Sequence, residues 1–424
     1  MKEAIRDFLK KHMLSPDCIS PEDCAEIMLR HMRAGLAGTP VDMPMIPTHL
    51  KGLSSVPQHK AVMVIDAGGT NFRAGLAEFD ESGCRISGLK KDRMPGTGTP
   101  VTWDEFISYV ADSLLPLADR TDTVGFCFSY DAEITPEIDG KVLRIDKEVV
   151  VNGCEGQLVG ASLSKALAER GFPGKRVIIL NDTVAALLGG ACSIDLSRYS
   201  DFTGMICGTG INTCSPAANS IITKLSLPSE GSMLINFEAG CFSAMPRGDV
   251  DELVDRRSHV PGEKLMEKMC SGAYVGKVCR AALEMAAEEK LISDAVLPHL
   301  DLFDKYSGAI TDSLAVGVDE YGIFAAEDLD CASEIAKAIF RRSARCMAAV
   351  ILAIMLMNDS GKTEEHPMCV CAEGSLVSRS HYFLPELKNS LQAIGAGKYR
   401  RFAVVIPGQD TTLPGAAVAA LLNT

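Results

Sequence analysis

The feature of this sequence that most constrains its fold is the hexapeptide Asp-Ala-Gly-Gly-Thr-Asn at residues 66–71. The apolar, β-branched residues 62–65 precede it and residues 72–79 follow it, a pattern that predicts strand, glycine hairpin and strand. Gly68 and Gly69 have no Cβ, so their backbone can approach a ligand and direct N–H groups at phosphate oxygens. The acid at the tip of the first strand could hold a metal through water. An ordinary hairpin with a glycine turn is the alternative.

A second glycine turn follows a second short apolar run. Residues 203–207 precede Gly208-Thr209-Gly210-Ile211-Asn212, as residues 62–65 precede Gly68. Two phosphate-facing turns on two sheets, with an acid between them, predict a nucleotide held in a cleft.

Length and charge exclude several classes of function. The chain has 424 residues, enough for two or three domains with substantial cores. Its net charge of −13 argues against a general nucleic-acid binder and against docking on an anionic membrane. The longest apolar run, residues 346–357, is too short to span a bilayer. Residues 1–13 lack an apolar signal core, and the 15 cysteines lack regular spacing. We therefore expect no secretion and a reducing, cytoplasmic location.

Strands that alternate with helices predict α/β architecture. Ser20, Pro21 and Asp23 predict the start of one helix, and Thr102 with Glu105 forms a capping box for another. The predicted helices are two in residues 1–36, then 102–118, 156–170, 183–191, 249–256, 263–290, 332–357 (central and buried) and 415–422. Besides the strands around the two turns, strands are predicted at 123–129, 176–180, 233–237, 368–372 and 402–406, an extended connection at 37–60 and a long polar connection at 130–155.

The chemistry is expected at Asn181-Asp182-Thr183, directly after the strand at residues 176–180. Ligands of α/β sheets gather at the carboxyl ends of strands. Phosphoryl transfer to an alcohol needs positioning, a metal and a carboxylate that accepts the hydroxyl proton, and Asp182 has the right type for that base. The alternative is that Asp182 caps the next helix. Glu238 and Glu267 are further acceptors for the hydroxyl groups of a polyol.

The chain resembles a eukaryotic-type hexokinase of the sugar kinase, actin and chaperone ATPase superfamily. The matching stretches follow the family's order: residues 66–73, 128–129, 147 with 153–156, 180–183, 208–212, 236–240, 261–262 with 265–268, 271–276 and 374–375. The resemblance implies an α/β fold of two ribonuclease-H-like (actin-like ATPase) domains around a nucleotide and sugar cleft. The small domain would be residues 61–195 completed by 408–424, and the large domain residues 196–407 with the helices of 1–60.

The resemblance also implies ATP-dependent phosphorylation of a hexose on its primary 6-hydroxyl, and glucose is the expected hexose. ATP, Mg²⁺ and a small-molecule hexose are the implied ligands, with no nucleic-acid or membrane partner. Asp182 resembles the catalytic base, and Lys147 and Arg73 would be the other catalytic residues, Arg73 as the supporting cation of the first phosphate loop. The implied sugar ligands are Ser129, Lys147, Asn181, Asp182, Asn212, Glu238 and Glu267. The implied nucleotide ligands are Gly68, Gly69, Thr70, Asn71, Gly208, Thr209, Gly210, Gly374 and Ser375, with Asp66 holding Mg²⁺ through water.

The sequence departs from the family pattern around the sugar. Tyr130-Asp131 stands where Phe-Pro is usual, Ile145-Asp146 where Trp-Thr is usual, and Ala239 where Trp is usual. The sugar-binding loop is therefore altered, while the acid, lysine and amide positions remain. A kinase for another sugar or polyol, and a non-catalytic hexokinase-like sugar sensor, are the alternatives. Retention of Asp182 weighs against the sensor, because binding alone requires no base.

Overall fold

The computed structural model describes residues 2–53, 55–69, 71–81, 83–145 and 149–424. They form two compact units. Unit 1 contains Met1–Pro44, Arg198–Asn212 and Phe237–Pro407, and unit 2 contains Met45–Ser197, Thr213–Asn236 and Gly408–Thr424. Residues 45–60 and 213–236 therefore group with the first glycine hairpin, whereas the sequence assigned them to the large domain.

Strands and helices alternate along the described residues, as predicted for an α/β protein. The strands are β1 (Ile46–Lys51), β2 (Ala61–Ala67), β3 (Asn71–Asp80), β4 (Gly83–Arg93), β5 (Val101–Thr102), β6 (Thr123–Phe128), β7 (Asp131–Ile134), β8 (Gly140–Arg144), β9 (Val151–Asn152), β10 (Arg176–Leu180), β11 (Asp201–Cys207), β12 (Ile211–Ala218), β13 (Ser232–Asn236), β14 (Met368–Glu373) and β15 (Ala403–Pro407). The helices are α1 (Lys2–Lys11), α2 (Pro21–Leu36), α3 (Trp103–Leu114), α4 (Val159–Glu169), α5 (Asp182–Ala191), α6 (Asp249–Arg256), α7 (Leu265–Cys270), α8 (Val275–Glu288), α9 (Asp301–Ala315), α10 (Ala326–Met357), α11 (Ser375–Arg379), α12 (Phe383–Ala396) and α13 (Thr412–Asn423).

The core of unit 2 is a five-stranded sheet in the order β10-β6-β2-β3-β4. Strands β10, β6 and β2 are parallel, and β3 and β4 are antiparallel to their neighbours. The β2–β3 hairpin confirms the predicted strand, glycine turn and strand. Because β2, β6 and β10 run in one direction, their carboxyl ends meet at one edge of the sheet. Asp66, Ser129 and Asn181 lie at or directly after those ends.

Helices cover this sheet by close packing. Met63 and Ile65 of β2 share an apolar core with Phe106 of α3, and α3 begins with the predicted Thr102–Glu105 capping box. Helix α13 packs against α5, β2 and β6. A Cβ on Gly415 of α13 would lie 1.9 Å from a backbone oxygen of α5, so glycine is what permits this contact. The C-terminal helix is therefore an integral part of unit 2.

Two predicted connections in unit 2 contain strands instead. Residues 37–60 include β1, which pairs with β13, and residues 130–155 include the β7–β8 hairpin and β9. Pro47 interrupts the strand pattern of β1, and proline is tolerated because β1 is an edge strand. The β1–β13 and β13–β12 pairings, with a hydrogen bond from Lys51 N–H to Asn423 Oδ1, explain why these segments join unit 2.

Unit 1 is organised around the 32-residue helix α10, which confirms the predicted central helix but begins at Ala326 rather than 332. Helices α2, α8, α9 and α12 pack against it. Arg342 in its middle forms a bidentate ion pair with Asp251 of α6, at 2.7 and 2.8 Å, and both side chains are almost completely buried. A buried charge requires such a partner, because desolvation of an unpaired charge is costly.

Strands β11, β14 and β15 of unit 1 are parallel neighbours in that order. The second glycine turn follows β11, and Gly374 follows β14, its neighbour. The predicted helix at residues 263–290 is wrong as a single element, because residues 271–274 separate α7 from α8. There the backbone leaves the helical path, and Gly272 N–H donates to Gly208 O at 2.6 Å. Across the described residues, no helix has the length and apolar character to cross a membrane.

Candidate active site

In unit 2, the segment after β6 supports the first glycine turn. Gly68 N–H donates to Asn71 O at 3.0 Å and closes the turn. The Tyr130 hydroxyl donates to Gly68 O at 2.6 Å, and Ser129 N–H donates to Ala67 O at 3.2 Å. Two successive carbonyls of the turn are thus bound by successive residues of one neighbouring segment.

Tyr130, one of the departures from the family pattern, has a structural role at this turn. Its ring is 5% exposed and packs edge-to-face on Phe128, with 5.1 Å between ring centroids. A buried tyrosine hydroxyl needs a hydrogen-bond partner, and Gly68 O supplies one. Asp131, the second departure, pairs with Arg144 on the β7–β8 hairpin at 3.3 Å.

The Asp66 carboxylate is held by a network that joins three segments of unit 2. Arg73 lies directly opposite Asp66 in the β2–β3 register. Its Nη2 and Nε contact Asp66 Oδ2 at 2.6 and 3.0 Å, and its Nη1 contacts Asp410 Oδ1 at 2.8 Å. Thr412, at the start of α13, donates to the same Asp66 oxygen at 3.2 Å and accepts from Arg73 Nη2 at 2.6 Å. The α13 terminus therefore helps to position Asp66.

A pocket of about 420 Å³ lies over this network. Residues of β2, β3, β4 and the segment before α13 line it. They are Asp66, Gly68, Asn71, Phe72, Arg73, Lys91, Asp92 and Asp410. The first glycine turn and the Asp66 carboxylate thus share one concave surface.

The N-cap of α5 is Asn181 rather than Asp182. Asn181 is the N-cap of α5, and its Oδ1 accepts a hydrogen bond from Thr183 N–H at 2.9 Å. Asp182 is the next residue, in the first turn, and its Oδ1 accepts from the Thr183 hydroxyl at 3.3 Å. The cap is therefore filled by Asn181. The half-buried Asp182 carboxylate sits where the helix dipole favours negative charge.

A buried thiol lies near both Asp66 and Asp182. Cys127 of β6 lies between Asp66 of β2 and Leu180 of β10 in the sheet register. Complete burial raises the pKa of the Cys127 thiol well above its usual value, and the charges of Asp66 and Asp182 raise it further. Both carboxylates therefore act on the same thiol, at the shared edge of the three parallel strands.

In unit 1, backbone contacts shape the second glycine turn. Gly208 N–H donates to Gly210 O at 2.9 Å, and Gly272 and Ala273 N–H groups donate to Gly208 O and Thr209 O at 2.6 and 3.3 Å. Gly374 has φ of +122°, and a Cβ there would lie 2.4 Å from Cys207 O. The predicted residues Gly208–Gly210, Gly374 and Ser375 are therefore close together, with the α7–α8 break beside them.

A kink in α9 supports this arrangement. Ser307 interrupts the helix with φ of 34° and ψ of −108°, a region that residues with a side chain rarely occupy. Its hydroxyl donates to Gly272 O at 2.6 Å. Strained backbone persists only where its surroundings determine it. The hydrogen bonds thus link Ser307, through Gly272, to the second glycine turn.

The predicted sugar ligands of unit 1 are also brought together. Asn212 Nδ2 donates to Glu238 Oε1 at 3.1 Å, and Asn212 Oδ1 accepts from Ala239 N–H at 3.3 Å. Glu267 Oε2 accepts from Ile211 N–H at 3.1 Å. One amide and two carboxylates therefore lie around the start of β12, the groups that recognise adjacent hydroxyls.

Local backbone geometry makes room for these carboxylates. Glu238 has left-handed dihedral angles, φ 56° and ψ 47°, directly after β13. A Cβ on Gly210 would lie 2.7 Å from Glu267 Oε2. Gly210, predicted as part of a phosphate turn, thus also permits the close approach of a predicted sugar ligand.

The residues fit a magnesium ion that the nucleotide carries. Within the described ranges, no group of three or more His, Cys, Asp and Glu side chains could hold a metal. Asp66 Oδ2 already accepts hydrogen bonds from Arg73 and Thr412. Mg²⁺ keeps several waters and commonly binds one or two carboxylates together with substrate phosphates. Asp66 therefore suits a water-mediated contact rather than an all-protein cage.

Some expected residues lie outside the described part, and the sequence missed others. Thr70, Asp146 and Lys147 fall outside the described residues, so their roles stay predictions. Asp410 and Thr412 were missed although Asp410 follows β15 closely, the same end-of-strand signal that located Asp182.

With this geometry established, comparison with known proteins defines the family. Two hexokinase family models match the chain, one at residues 4–192 and the other at residues 202–422. The second match alone covers just over half of the 424 residues. The chain belongs to the hexokinase family.

Relatives agree with this assignment along the whole chain. Human Hexokinase-2 is 28% identical over 436 residues, covering 94% of this chain and 46% of the human protein. Hexokinase-2 of Candida albicans is 27% identical over 463 residues, covering 99% of this chain and 92% of that protein. The chain spans about half the length of the first curated relatives it matches.

Solved structures confirm the fold. A hexokinase from Schistosoma mansoni complexed with glucose superposes with a TM-score of 0.80 at 21% identity, covering 99% of both chains. The predicted α/β fold of the two-domain, actin-like ATPase type is thereby confirmed.

Proposed function

We propose that this protein transfers the γ-phosphoryl group of ATP to the primary 6-hydroxyl of a hexose, with glucose as the first candidate. One observation carries the proposal. Asn181 caps α5, so the adjacent Asp182 carboxylate is not required for capping and lies at the carboxyl end of β10. Membership of the hexokinase family supports the same chemistry.

Asp182 would act as the general base. Its carboxylate would accept the proton of the 6-hydroxyl as that oxygen attacks the γ-phosphorus and ADP leaves. Phosphoryl transfer asks the protein chiefly for positioning and charge stabilisation. Lys147, at the position of the family's lysine, would bind the sugar and stabilise charge that develops during transfer.

Asn212, Glu238 and Glu267 would bind sugar hydroxyls, together with Ser129, Asn181 and Asp182. The contact of Asn212 with Glu238, and that of Ile211 N–H with Glu267, hold the three side chains of unit 1 in place before substrate binds. A site that bonds each hydroxyl rejects analogues lacking one, because its polar groups are left unpaired.

The two glycine turns would bind the phosphates of ATP. Backbone N–H groups at residues 68–71 and 208–210 would face phosphate oxygens, and Gly374 with Ser375 would lie near the adenosine. Mg²⁺ bound to the nucleotide would offset the charge of the phosphate oxygens, with Asp66 as its water-mediated contact.

The cysteine residues support an intracellular setting. All fifteen cysteines lie in the described residues, where none is placed in a disulfide, and most are buried. Unpaired cysteines are typical of a reducing compartment. We propose a cytoplasmic location, with no nucleic-acid or membrane partner.

The decisive experiment is a coupled ADP-release assay with Mg-ATP and a sugar panel. Glucose, mannose and fructose are compared with glucose analogues that each lack one hydroxyl. We expect turnover with glucose, and a loss of kcat/KM of roughly 10²-fold or more when a bonded hydroxyl is absent. Absence of turnover above the ATPase background with every hexose would contradict the proposal.

Asp182→Asn tests the base directly. The variant keeps the shape and most hydrogen bonding but accepts no proton, so we expect kcat to fall by roughly 10²–10⁴-fold. Glucose affinity, measured by calorimetry, should change far less. Asp104→Asn is the matched control, because Asp104 also lies in the first turn of a helix of unit 2. Near-parental turnover of Asp182→Asn would remove Asp182 from the mechanism.

Two alternatives remain distinguishable in these assays. Turnover with a polyol or sugar derivative, but with no hexose, would identify a kinase of different specificity, in keeping with Tyr130-Asp131 and Ala239. Glucose binding in the parent without ADP release would identify a non-catalytic sugar sensor.

A further inference from the structure

A buried lysine lies directly beside the predicted sugar ligand Glu267. Lys268 follows Glu267 in α7, and its side chain is only 4% exposed. Its Nζ donates to Asp255 Oδ1 of α6 at 2.5 Å and to Val260 O at 2.7 Å. An ammonium group buried without partners is costly, and these contacts compensate it. The proposed transfer reaction itself uses neither Lys268 nor Asp255.

Asp255 also holds the connection between α6 and α7, residues 257–264. Both oxygens of Asp255 accept from Gly262 N–H at 3.0 Å, and Lys268 contacts Val260 O in the same connection. Burial alone would raise the pKa of Asp255, but hydrogen bonds from Lys268 and Gly262 lower it below its usual value. The Asp255 carboxylate is therefore charged at neutral pH and pairs α6 with α7.

Helix α7 depends on such contacts for its position. It has only six residues, and an isolated helix of that length is unstable in water. Its N-cap residue is Lys264, whose side chain has no acceptor for the first N–H groups. Met266 and Met269 are buried, but hydrophobic burial is non-directional. The directional contacts of Lys268 therefore fix how α7 is rotated.

The rotation of α7 determines where the Glu267 carboxylate lies. Glu267 Oε2 accepts from Ile211 N–H at 3.1 Å, and a Cβ on Gly240 would lie 3.2 Å from Glu267 Cβ. Successive residues of an α-helix are about 100° apart, so Lys268 faces α6 while Glu267 faces the start of β12. A rotation that separates Lys268 from Asp255 therefore also moves Glu267 away from Ile211.

We propose that Lys268 and Asp255 are positioning residues for sugar recognition, because their ion pair holds α7 with Glu267 at the start of β12 before the sugar binds. This inference rests on the proposed sugar-binding role of Glu267 and adds two residues that act through it. Neither residue is expected to touch the sugar.

The first test compares Lys268→Met with Lys175→Met. Lys175 is a matched control in unit 2, because its 5% exposed side chain also donates to one aspartate, Asp122, and to backbone carbonyls. We expect both variants to lose thermal stability. The dissociation constant for glucose, measured by calorimetry, should rise about tenfold in Lys268→Met, the factor that 1.4 kcal/mol represents, and stay within about twofold in Lys175→Met. Equal glucose affinities in the two variants would overturn the proposal.

A double-mutant cycle tests whether Lys268 acts through Glu267. Interacting residues give non-additive effects, whereas distant residues give additive ones. Once Glu267→Gln is present, adding Lys268→Met should weaken glucose binding by less than about threefold instead of about tenfold. Adding Lys175→Met should have the same small effect in both backgrounds. Additive effects of Lys268→Met and Glu267→Gln would overturn the proposal.

Hydrogen exchange separates failure of this inference from failure of the proposed function. The Ile211 amide is bonded to Glu267 in the protein without sugar, so its exchange reports the position of Glu267 with no ligand and no turnover. Faster exchange at Ile211 in Lys268→Met than in the parent and Lys175→Met would support the positioning role even if no hexose is phosphorylated. Equal exchange in all three proteins would overturn that role even if the parent phosphorylates glucose.

Discussion

The groups that unit 2 and unit 1 contribute to the proposed site are held by different means. In unit 2, Asp66 is held by ion pairing with Arg73, and Asp182 lies at the start of a regular helix. In unit 1, the second glycine turn and Glu238 depend on unusual backbone conformations, including φ of +122° at Gly374 and 56° at Glu238. The carboxylate Asp66 of unit 2 is thus held by charge pairing, whereas the second glycine turn and Glu238 of unit 1 are held by backbone conformation.

This difference predicts opposite sensitivities. Removing the cation of an ion pair is destabilising, because the carboxylate of the partner is then left without a compensating charge. Left-handed and related backbone conformations tolerate polar changes at neighbouring positions but not an added Cβ in a tight space. Substitutions of each kind can therefore test the comparison.

The largest effect on stability is expected from loss of charge in unit 2. Arg73→Met leaves Asp66, which is 7% exposed, without its cation, and we expect the free energy of unfolding to fall by about 3 kcal/mol. Arg85→Met is the matched control, since Arg85 pairs with Glu78 across the adjacent β3–β4 pair of the same sheet but is largely exposed. Exposed pairs contribute about 0–1 kcal/mol. Urea unfolding of both variants measures the difference.

Equal losses in the two arginine variants would contradict the view that charge pairing holds the Asp66 region. A loss of ATP turnover without any loss of stability would instead show that Arg73 acts mainly on the substrate rather than by holding Asp66.

An added methyl group should be the corresponding disruption in unit 1. Gly374→Ala places a Cβ in a backbone conformation that favours glycine and 2.4 Å from Cys207 O. The conformation alone, φ 122° and ψ 166°, costs a residue with a side chain about 1–3 kcal/mol, and the clash forces the backbone after β14 to move. We expect KM for Mg-ATP to rise more than about tenfold. Steady-state kinetics and thermal unfolding measure the two effects.

Gly317→Ala separates conformational strain from the clash. Gly317 has φ of +81°, and a Cβ there would meet no atom within 4 Å. It should lose similar stability through strain but keep the parental ATP kinetics. Parental ATP kinetics in Gly374→Ala as well would refute the claim that backbone shape sets the nucleotide groups of unit 1.

The same division explains what the sequence could reveal. Asp66 and Asp182 were located because strand patterns and strand ends are local features of the sequence. Whether Asp182 is a base or the cap of α5 stayed open, because aspartate is a good N-cap as well as a possible base. Helix α9 was not predicted, and its kink at Ser307 was missed because the Ser307 hydroxyl contacts Gly272 O, 35 positions earlier in the chain, which no local pattern shows.

The sequence also did not predict the edge strand β1 or the hydrogen bond between a side chain and a backbone carbonyl at Tyr130. The segment that contains β1 was predicted as an extended connection because residues 37–60 hold four prolines. The pairing of β1 with β13 is a long-range contact, which a local pattern does not show. Tyr130 was noted as a departure, but its partner is a backbone carbonyl, which carries no sequence signature. Backbone-determined features were therefore lost more often than charge-determined ones.

Tyr130→Phe gives the smallest expected effect and the sharpest test of the comparison. It removes only the hydroxyl that binds Gly68 O and keeps the ring packed on Phe128. A hydrogen bond contributes about 1 kcal/mol net, so we expect KM for Mg-ATP to rise about fivefold and KM for glucose to stay within twofold. Tyr399→Phe, which loses a hydroxyl contact with Glu26 in unit 1, is the control and should keep both constants.

The outcome decides whether phosphate binding by unit 2 depends on the position of the Gly68 carbonyl. A rise in KM for Mg-ATP without a change in kcat would mean that the first glycine turn needs its carbonyl held by Tyr130 to bind phosphate, despite the ion pairs nearby. A loss of stability with parental KM would mean that the hydroxyl serves only the fold, and charge would then account for the whole unit 2 region. Because the ring is retained, a change in KM for glucose as large as that for Mg-ATP would show instead that Tyr130 acts on the sugar, as its place beside Ser129 also permits.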